Sequence, residues 1–332
     1  MPSFTDLPPA LLSGPTFDGQ ARAALSMTSR HMRALVMRAC TAVTVYPAPE
    51  DDLHLQGMVD RLLRCCAQGL CLRQLFISDP NFSNVTDLGP LRALQQLQRL
   101  DLQGMAGVTS LQPLAGLPSL LHFTCSLKEV TDLGPLATLT RLVHLDCSSM
   151  RSVEDLEPLS ELVSLTSLKL RNMLWVKDLG PLAPLTRLVI LDCSSMRGVA
   201  DLGALPTLVS LQALNCSRMV WVPTLQPIAS LKNLQSLSLW AMVRVTDLGP
   251  LASLTNMTSL ECPYMWGITD LTPLASLTKL KHLNCCGMKG VVDLSPLVGL
   301  TKSLQHLDCR DIAGVTDVGP IAAFSNLQLG TV

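Results

Sequence analysis

Aromatic side chains are scarce: 4 Trp, 2 Tyr and 6 Phe in 332 residues, about 4% of the chain. A core of ordinary size then has to be built from Leu, Val, Met, Ala and Cys. Charge of one sign is also missing. Lys and Arg number 25 against 26 Asp and Glu, for a net charge of -1, and both signs are spread along the chain. No basic field is available to hold a nucleic-acid backbone. Long apolar runs are absent too. The sequence is 48% hydrophobic, yet no stretch approaches the roughly 18–20 residues of a membrane span. The opening Met1-Pro2-Ser3-Phe4-Thr5-Asp6 has no positive segment followed by an apolar one, so no signal peptide is expected.

Cysteine is the exception to this scarcity, with 12 residues. In a short secreted chain that count suggests a disulfide scaffold. Here Cys125, Cys147, Cys193, Cys216, Cys262, Cys285 and Cys309 recur at one equivalent position, alternating with Leu102, Leu170 and Leu239. A position that takes either Leu or Cys is an apolar socket, where a free thiol acts as a small hydrophobe. Reduced, buried thiols and a reducing, cytoplasmic compartment are the expectation.

The hydrophobicity comes in short beats. One unit starts at Val85, Val108, Val130, Val153, Val176, Val199, Val222, Val245, Ile268, Val291 and Val315. Its period is 23 residues, apart from a deletion near Ser126-Leu127 and an insertion near Lys302-Ser303. A typical unit reads Leu188-x-x-Leu191-x-Cys193-x-x-Met196-x-x-Val199-x-Asp201-Leu202-x-x-Leu205-x-x-Leu208. The Leu-x-Cys step has period two, which predicts a short strand with both side chains on one face. The Leu-x-x-Leu-x-x-Leu step has period three, which suits 3₁₀ turns better than an α-helix. A strand followed by so tight a return predicts a coil stacked on its neighbours. A lone unit buries too little to offset the entropy of ordering it, so the units stabilise one another. The Asp before each Leu-Gly-Pro step (Asp132, Asp155, Asp178, Asp201, Asp247, Asp270, Asp293) is expected to cap the free amides of the turn.

This unit resembles the leucine-rich repeat, Leu-x-x-Leu-x-Leu-x-x-Asn-x-Leu, over roughly residues 70–332. Its Asp-Leu-Gly-Pro-Leu half (Asp132 to Leu136, Asp247 to Leu251) is similar to the convex side of the short internalin-type class. The resemblance implies an α/β solenoid: a horseshoe or arc with parallel strands on the concave face, 3₁₀ turns on the convex side and an N-terminal helical cap. Where that family has an Asn bonding the turn backbone, this chain has Met105, Met150, Met173, Met196, Met219, Met242, Met265 and Met288. Met cannot make those bonds, so backbone or water must.

Residues 1–84 do not keep the beat. Ala42-Val43-Thr44-Val45-Tyr46 reads as a strand, and Asp51 or Asp52 is expected to cap a helix ending near Gly69. Leu72-x-x-Leu75-x-Ile77 supplies the first strand in repeat register. Residues 41–84 are therefore read as an irregular first repeat and 85–332 as the regular solenoid. Ahead of them, Leu7-Pro8-x-x-Leu11-Leu12 precedes an amphipathic helix carrying Leu25, Met32, Leu35 and Val36 on one face. Together these resemble an F-box. That resemblance implies docking of a Skp-type adaptor at Leu7, Pro8, Leu11 and Leu12, and a role as substrate-recognition subunit of a cullin ubiquitin ligase. The alternative is that residues 1–40 form a helical cap on the open end of the stack.

Between the core leucines, two columns are expected to face the concave surface. One holds Asp101, Asp146, Asp192, Glu261 and Asp308; the other pairs His122 with His144 and His282 with His306 on adjacent strands. Solvated polar residues are the expected reading of these columns rather than a metal site. No phosphate loop, zinc spacing or nucleophile motif appears, so neither a cofactor nor catalysis is expected. The aromatic residues say more. Trp175, Trp221, Trp240 and Trp266, with Tyr264, all lie in the C-terminal half and off the core register. They are either binding hot spots or packing along the edge of the stack. With Asp192 and Glu261 they mark the expected surface for a protein partner. A ubiquitin-ligase substrate receptor is the leading functional expectation. An intracellular scaffold without that role is the alternative, and an internalin-like surface adhesin a third.

Overall fold

The computed structural model describes residues 42–45 (backbone only), 72–77, 85–312, 314–317, 319 and 322. The expected adaptor-docking residues Leu7, Pro8, Leu11 and Leu12, the helical cap of residues 1–40 and the helix after Asp51 lie outside the described residues. The chain divides into two compact units, Met1–Val153 and Glu154–Val332.

The described part of the first unit carries five strands: β1 (Ala42–Val45), β2 (Gln74–Ile77), β3 (Arg99–Leu102), β4 (His122–Cys125) and β5 (His144–Asp146). They pair parallel and in sequence order, with Leu75 beside Leu100, Leu100 beside Phe123 and Phe123 beside Leu145. The second unit carries seven: β6 (Ser167–Lys169), β7 (Ile190–Asp192), β8 (Ala213–Asn215), β9 (Ser236–Ser238), β10 (Ser259–Glu261), β11 (His282–Asn284) and β12 (His306–Asp308). These too are parallel and in order, with Leu168, Leu191, Leu214, Leu237, Leu260, Leu283 and Leu307 in one file. Each unit is thus an open solenoid with strands on one side. The period-two step predicted this pairing, and it sets the central Leu inward while its neighbours face out.

Returning the chain falls to 3₁₀ turns, as the period-three step predicted; Gly134–Thr138 and Gly249–Ser253 are examples. Their geometry depends on the recurring Asp. The Asp132 and Asp247 carboxylates each accept the N–H of the second residue on, Gly134 and Gly249, at 2.6 Å, and Asp201 accepts that of Gly203 at 2.9 Å. Asp270 and Asp293 do the same for Thr272 and Ser295. A Pro follows at the first or second turn position, where its missing N–H costs little.

All eight repeat methionines are fully buried. Around them the turn carries backbone hydrogen bonds within the repeat. The Val199 N–H donates to Met196 O at 3.3 Å, and the Met219 N–H to Cys216 O at 3.3 Å. The strand ladder also runs on past each strand. The N–H of Cys193 reaches Asn215 O at 2.9 Å, and that of Ser195 reaches Ser217 O at 2.7 Å. That second bond needs a left-handed residue, and Asn172, Ser195, Arg218, Ala241 and Tyr264 recur there with φ between 55° and 65°. Such a conformation costs about 1–2 kcal/mol for a non-glycine residue, which the bond to the next repeat helps offset.

Candidate protein-interaction surface

Strand pairing puts the two outward columns where the sequence placed them. His122 stacks on His144 with ring centroids 4.5 Å apart, and His282 on His306 at 4.7 Å. Burial, the neighbouring imidazole and Arg99 hold His122 below its ordinary 6.5; burial and Arg99 do the same for His144. Among the described residues no three His, Cys, Asp or Glu side chains come together as metal ligands.

The acidic column has a local task. Asp146 and Asp192 each accept the N–H two residues on, from Ser148 at 3.0 Å and from Ser194 at 2.9 Å, and Asn215 and Asn284 do the same with their amide oxygens. Asp308 further pairs with Arg310, Oδ2 to Nη2 at 2.7 Å. Glu261 differs: its carboxyl is pushed up, chiefly by burial. Of the two acidic residues expected at the partner surface, Asp192 therefore spends one oxygen on its own turn.

The five aromatic residues separate onto two edges of the coil. Trp240 and Tyr264 follow the strands and lean on adjacent repeats. The Arg218 guanidinium stands 3.9 Å over the Trp240 ring. The Tyr264 ring lies against the backbone of Gly287, which has φ +68° and no room for a Cβ beneath that ring. Trp175, Trp221 and Trp266 stand instead on the ascending loop between the buried Met and Val, and are 60%, 49% and 55% exposed. Arg244 stacks on Trp221 at 4.3 Å, and Lys289 lies 5.9 Å over Trp266. The sequence placed each ring off the core register but missed these cations. Their signal was present, since Arg244 follows Trp221, and Lys289 follows Trp266, by one repeat of 23 residues.

No protein-family model matches the sequence, and no curated protein matches it. Solved structures do. An internalin (inlF) from Listeria monocytogenes is similar at 26% identity, covering 94% of this chain and 94% of that one, with a TM-score of 0.72. The functional domain of InlJ from Listeria monocytogenes, which includes a cysteine ladder, shares the fold at 17% identity over 95% of this chain and 74% of that one, with a TM-score of 0.57. The chain has a leucine-rich-repeat fold.

Within this fold the thiols line the core, on the side of the strands away from the histidines. Cys125, Cys147, Cys193, Cys216, Cys262 and Cys285 are at most 1% exposed and unbridged. Sulfurs of adjacent repeats touch, Cys193 and Cys216 at 3.6 Å and Cys125 and Cys147 at 3.9 Å. Burial pushes the Cys125, Cys262 and Cys285 thiols up, and the hydrogen bond to Cys193 followed by burial does so for Cys216. Such thiols stay protonated and are poor nucleophiles. Among the described residues no helix is long and apolar enough to cross a membrane.

Proposed function

We propose that this leucine-rich-repeat protein recognises a protein partner through the ascending edge of its second unit, at Trp175, Trp221 and Trp266. One observation carries the reading. Three indoles stand about half exposed in a chain with only 12 aromatic residues in all. Exposed indoles offer large contact area at small entropic cost, which is what hot spots use. Glu261 and Asp192 belong to the outward strand face of the same unit and extend the surface. Trp240 and Tyr264 take the supporting role, since each already covers a neighbouring repeat.

Partner capture from cell extract, followed by titration of the captured partner, tests this. Trp221→Ala is expected to weaken binding by about 2 kcal/mol or more, with a fall in melting temperature no larger than loss of its stacked Arg244 accounts for. Unchanged affinity in both Trp221→Ala and Trp175→Ala sinks the reading.

The more specific proposal, a substrate receptor of an F-box-type ubiquitin ligase, is supported by the pattern Leu7-Pro8-x-x-Leu11-Leu12 and by its position ahead of the repeats. In that case Leu11→Asp with Leu12→Asp abolishes co-purification with a Skp-type adaptor while the repeats stay folded. Adaptor binding that survives the change, or is never seen, leaves a scaffold without a ligase role. The likeness to an internalin supports a third reading, an adhesin-type recognition solenoid. Free thiols in protein isolated from its natural source argue against that one.

A further inference from the structure

Trp175, Gly198 and Trp221 occupy one register position in three successive repeats, each just before a buried Val (Val176, Val199, Val222). Gly198 cannot be replaced by a larger residue without a shift, because a Cβ there would run into the Val176 carbonyl oxygen. Backbone packing thus keeps a side chain off position 198, between the repeats of the two exposed indoles. Successive repeats lie about 4.8 Å apart in the hydrogen-bonding direction, across the strands, so these two positions are about 10 Å apart. A flat group midway would sit about 5 Å from each indole, inside the roughly 4.5–7 Å range of aromatic pairs. Arg244 stacks on Trp221 and comes from the repeat beyond it, opposite the Gly198 side. Arg197, next to Gly198, is exposed and has no hydrogen bond or ion pair among the described residues.

We propose that Trp175, Arg197, Gly198 and Trp221 form a slot for one aromatic side chain of an acidic partner segment. The ring enters between the indoles and a flanking Asp or Glu pairs with Arg197. The proposal rests on the ascending edge being the recognition surface, and it names the chemistry that surface selects. Charge supports it: Arg197, Arg244 and Lys289 alternate with Trp175, Trp221 and Trp266 from repeat to repeat along this edge. Single-stranded nucleic acid also combines rings with negative charge. However, the capping carboxylates of Asp178, Asp201, Asp247 and Asp270 follow a few residues along each loop. They oppose a continuous phosphate chain, whereas a single carboxylate meets Arg197 alone.

The test is selection of a phage-displayed random peptide library on the full chain. Selected peptides are then titrated by fluorescence anisotropy against wild type, Trp175→Ala, Trp221→Ala and Arg197→Glu, with thermal melts as the folding control. The expected peptides carry Phe, Tyr or Trp beside Asp or Glu and lose at least about tenfold in affinity with each variant. Should Arg197→Glu unfold, Arg197→Gln gives the same direction with a smaller loss. Tryptophan-dependent peptides rich in Lys or Arg overturn the slot's charge preference but leave the recognition edge standing. Failure to obtain any tryptophan-dependent peptide overturns both. A labelled oligothymidine that binds more tightly than the peptides, and is released by the same substitutions, overturns the proposal in favour of nucleic acid.

Discussion

The guanidinium of Arg218 lies 3.9 Å over the indole of Trp240, and the Arg218 N–H donates to the Trp240 carbonyl at 2.7 Å. Side chain and backbone thus tie the same two repeats together. Arg218 can do both because it sits in the left-handed position, φ 60°, just past its strand.

Trp240→Ala is therefore expected to act on stability. Loss of the stacked cation and of the partly buried ring should cost about 1–2 kcal/mol, read as a lower melting temperature. A double-mutant cycle with Arg218→Ala should return a coupling of about 0.5–1 kcal/mol. Strictly additive losses would mean that the stack contributes nothing. A binding defect without a stability loss would place Trp240 on the partner surface.

The thiol column predicts a reactivity pattern. An aqueous thiol reagent should label few of the described cysteines in the native protein. Cys309, only half buried, should react first, and its elevated thiol favours alkaline conditions. Unfolding in denaturant should expose nearly all 12. Rapid native labelling of Cys193 or Cys216 would contradict their burial.

Stability should fall in two steps on acidification. His122 and His144 are held below 6.5 in the folded chain. The unfolded chain therefore takes up their protons first, and stability present above pH 6.5 is lost as pH falls through the lower folded values. Asp270 and Asp293 are held below 3.8 by hydrogen bonds from Thr272 and Ser295. Their contribution is present above pH 3.8 and lost as pH drops through their folded values. Denaturant melts of His122→Gln with His144→Gln should show the first step flattened and the second unchanged. An unaltered profile below pH 6.5 would mean the imidazole pair carries no linkage.

The period of two in Leu-x-Leu and Leu-x-Cys, and the period of three after each Asp, were enough to place the repeat strands, the 3₁₀ turns, the capping carboxylates and six of the seven ladder thiols; Cys309, expected in the core with them, is only half buried. Those features follow from chain-local spacing: which side chains share a face is decided within a few residues, and 23-residue repetition then fixes the register. At the repeat Met positions the turn carries backbone bonds within each repeat, while the ladder beyond the strand bonds one repeat to the next. Nothing in Arg218, Ala241 or Tyr264 as residue types signals a left-handed backbone; the carbonyl of the next repeat requires it. The fate of each aromatic ring was likewise a tertiary matter. Trp240 and Trp221 are both off the core register, one just after its strand and the other on the ascending loop, and residue type alone does not say which of them packs. One lies beneath Arg218 at the end of the strand. The other stands on the ascending loop, with Arg244 over its ring. That difference depends on where a long side chain from an adjacent repeat comes to rest, and on how much of the ring it leaves to water.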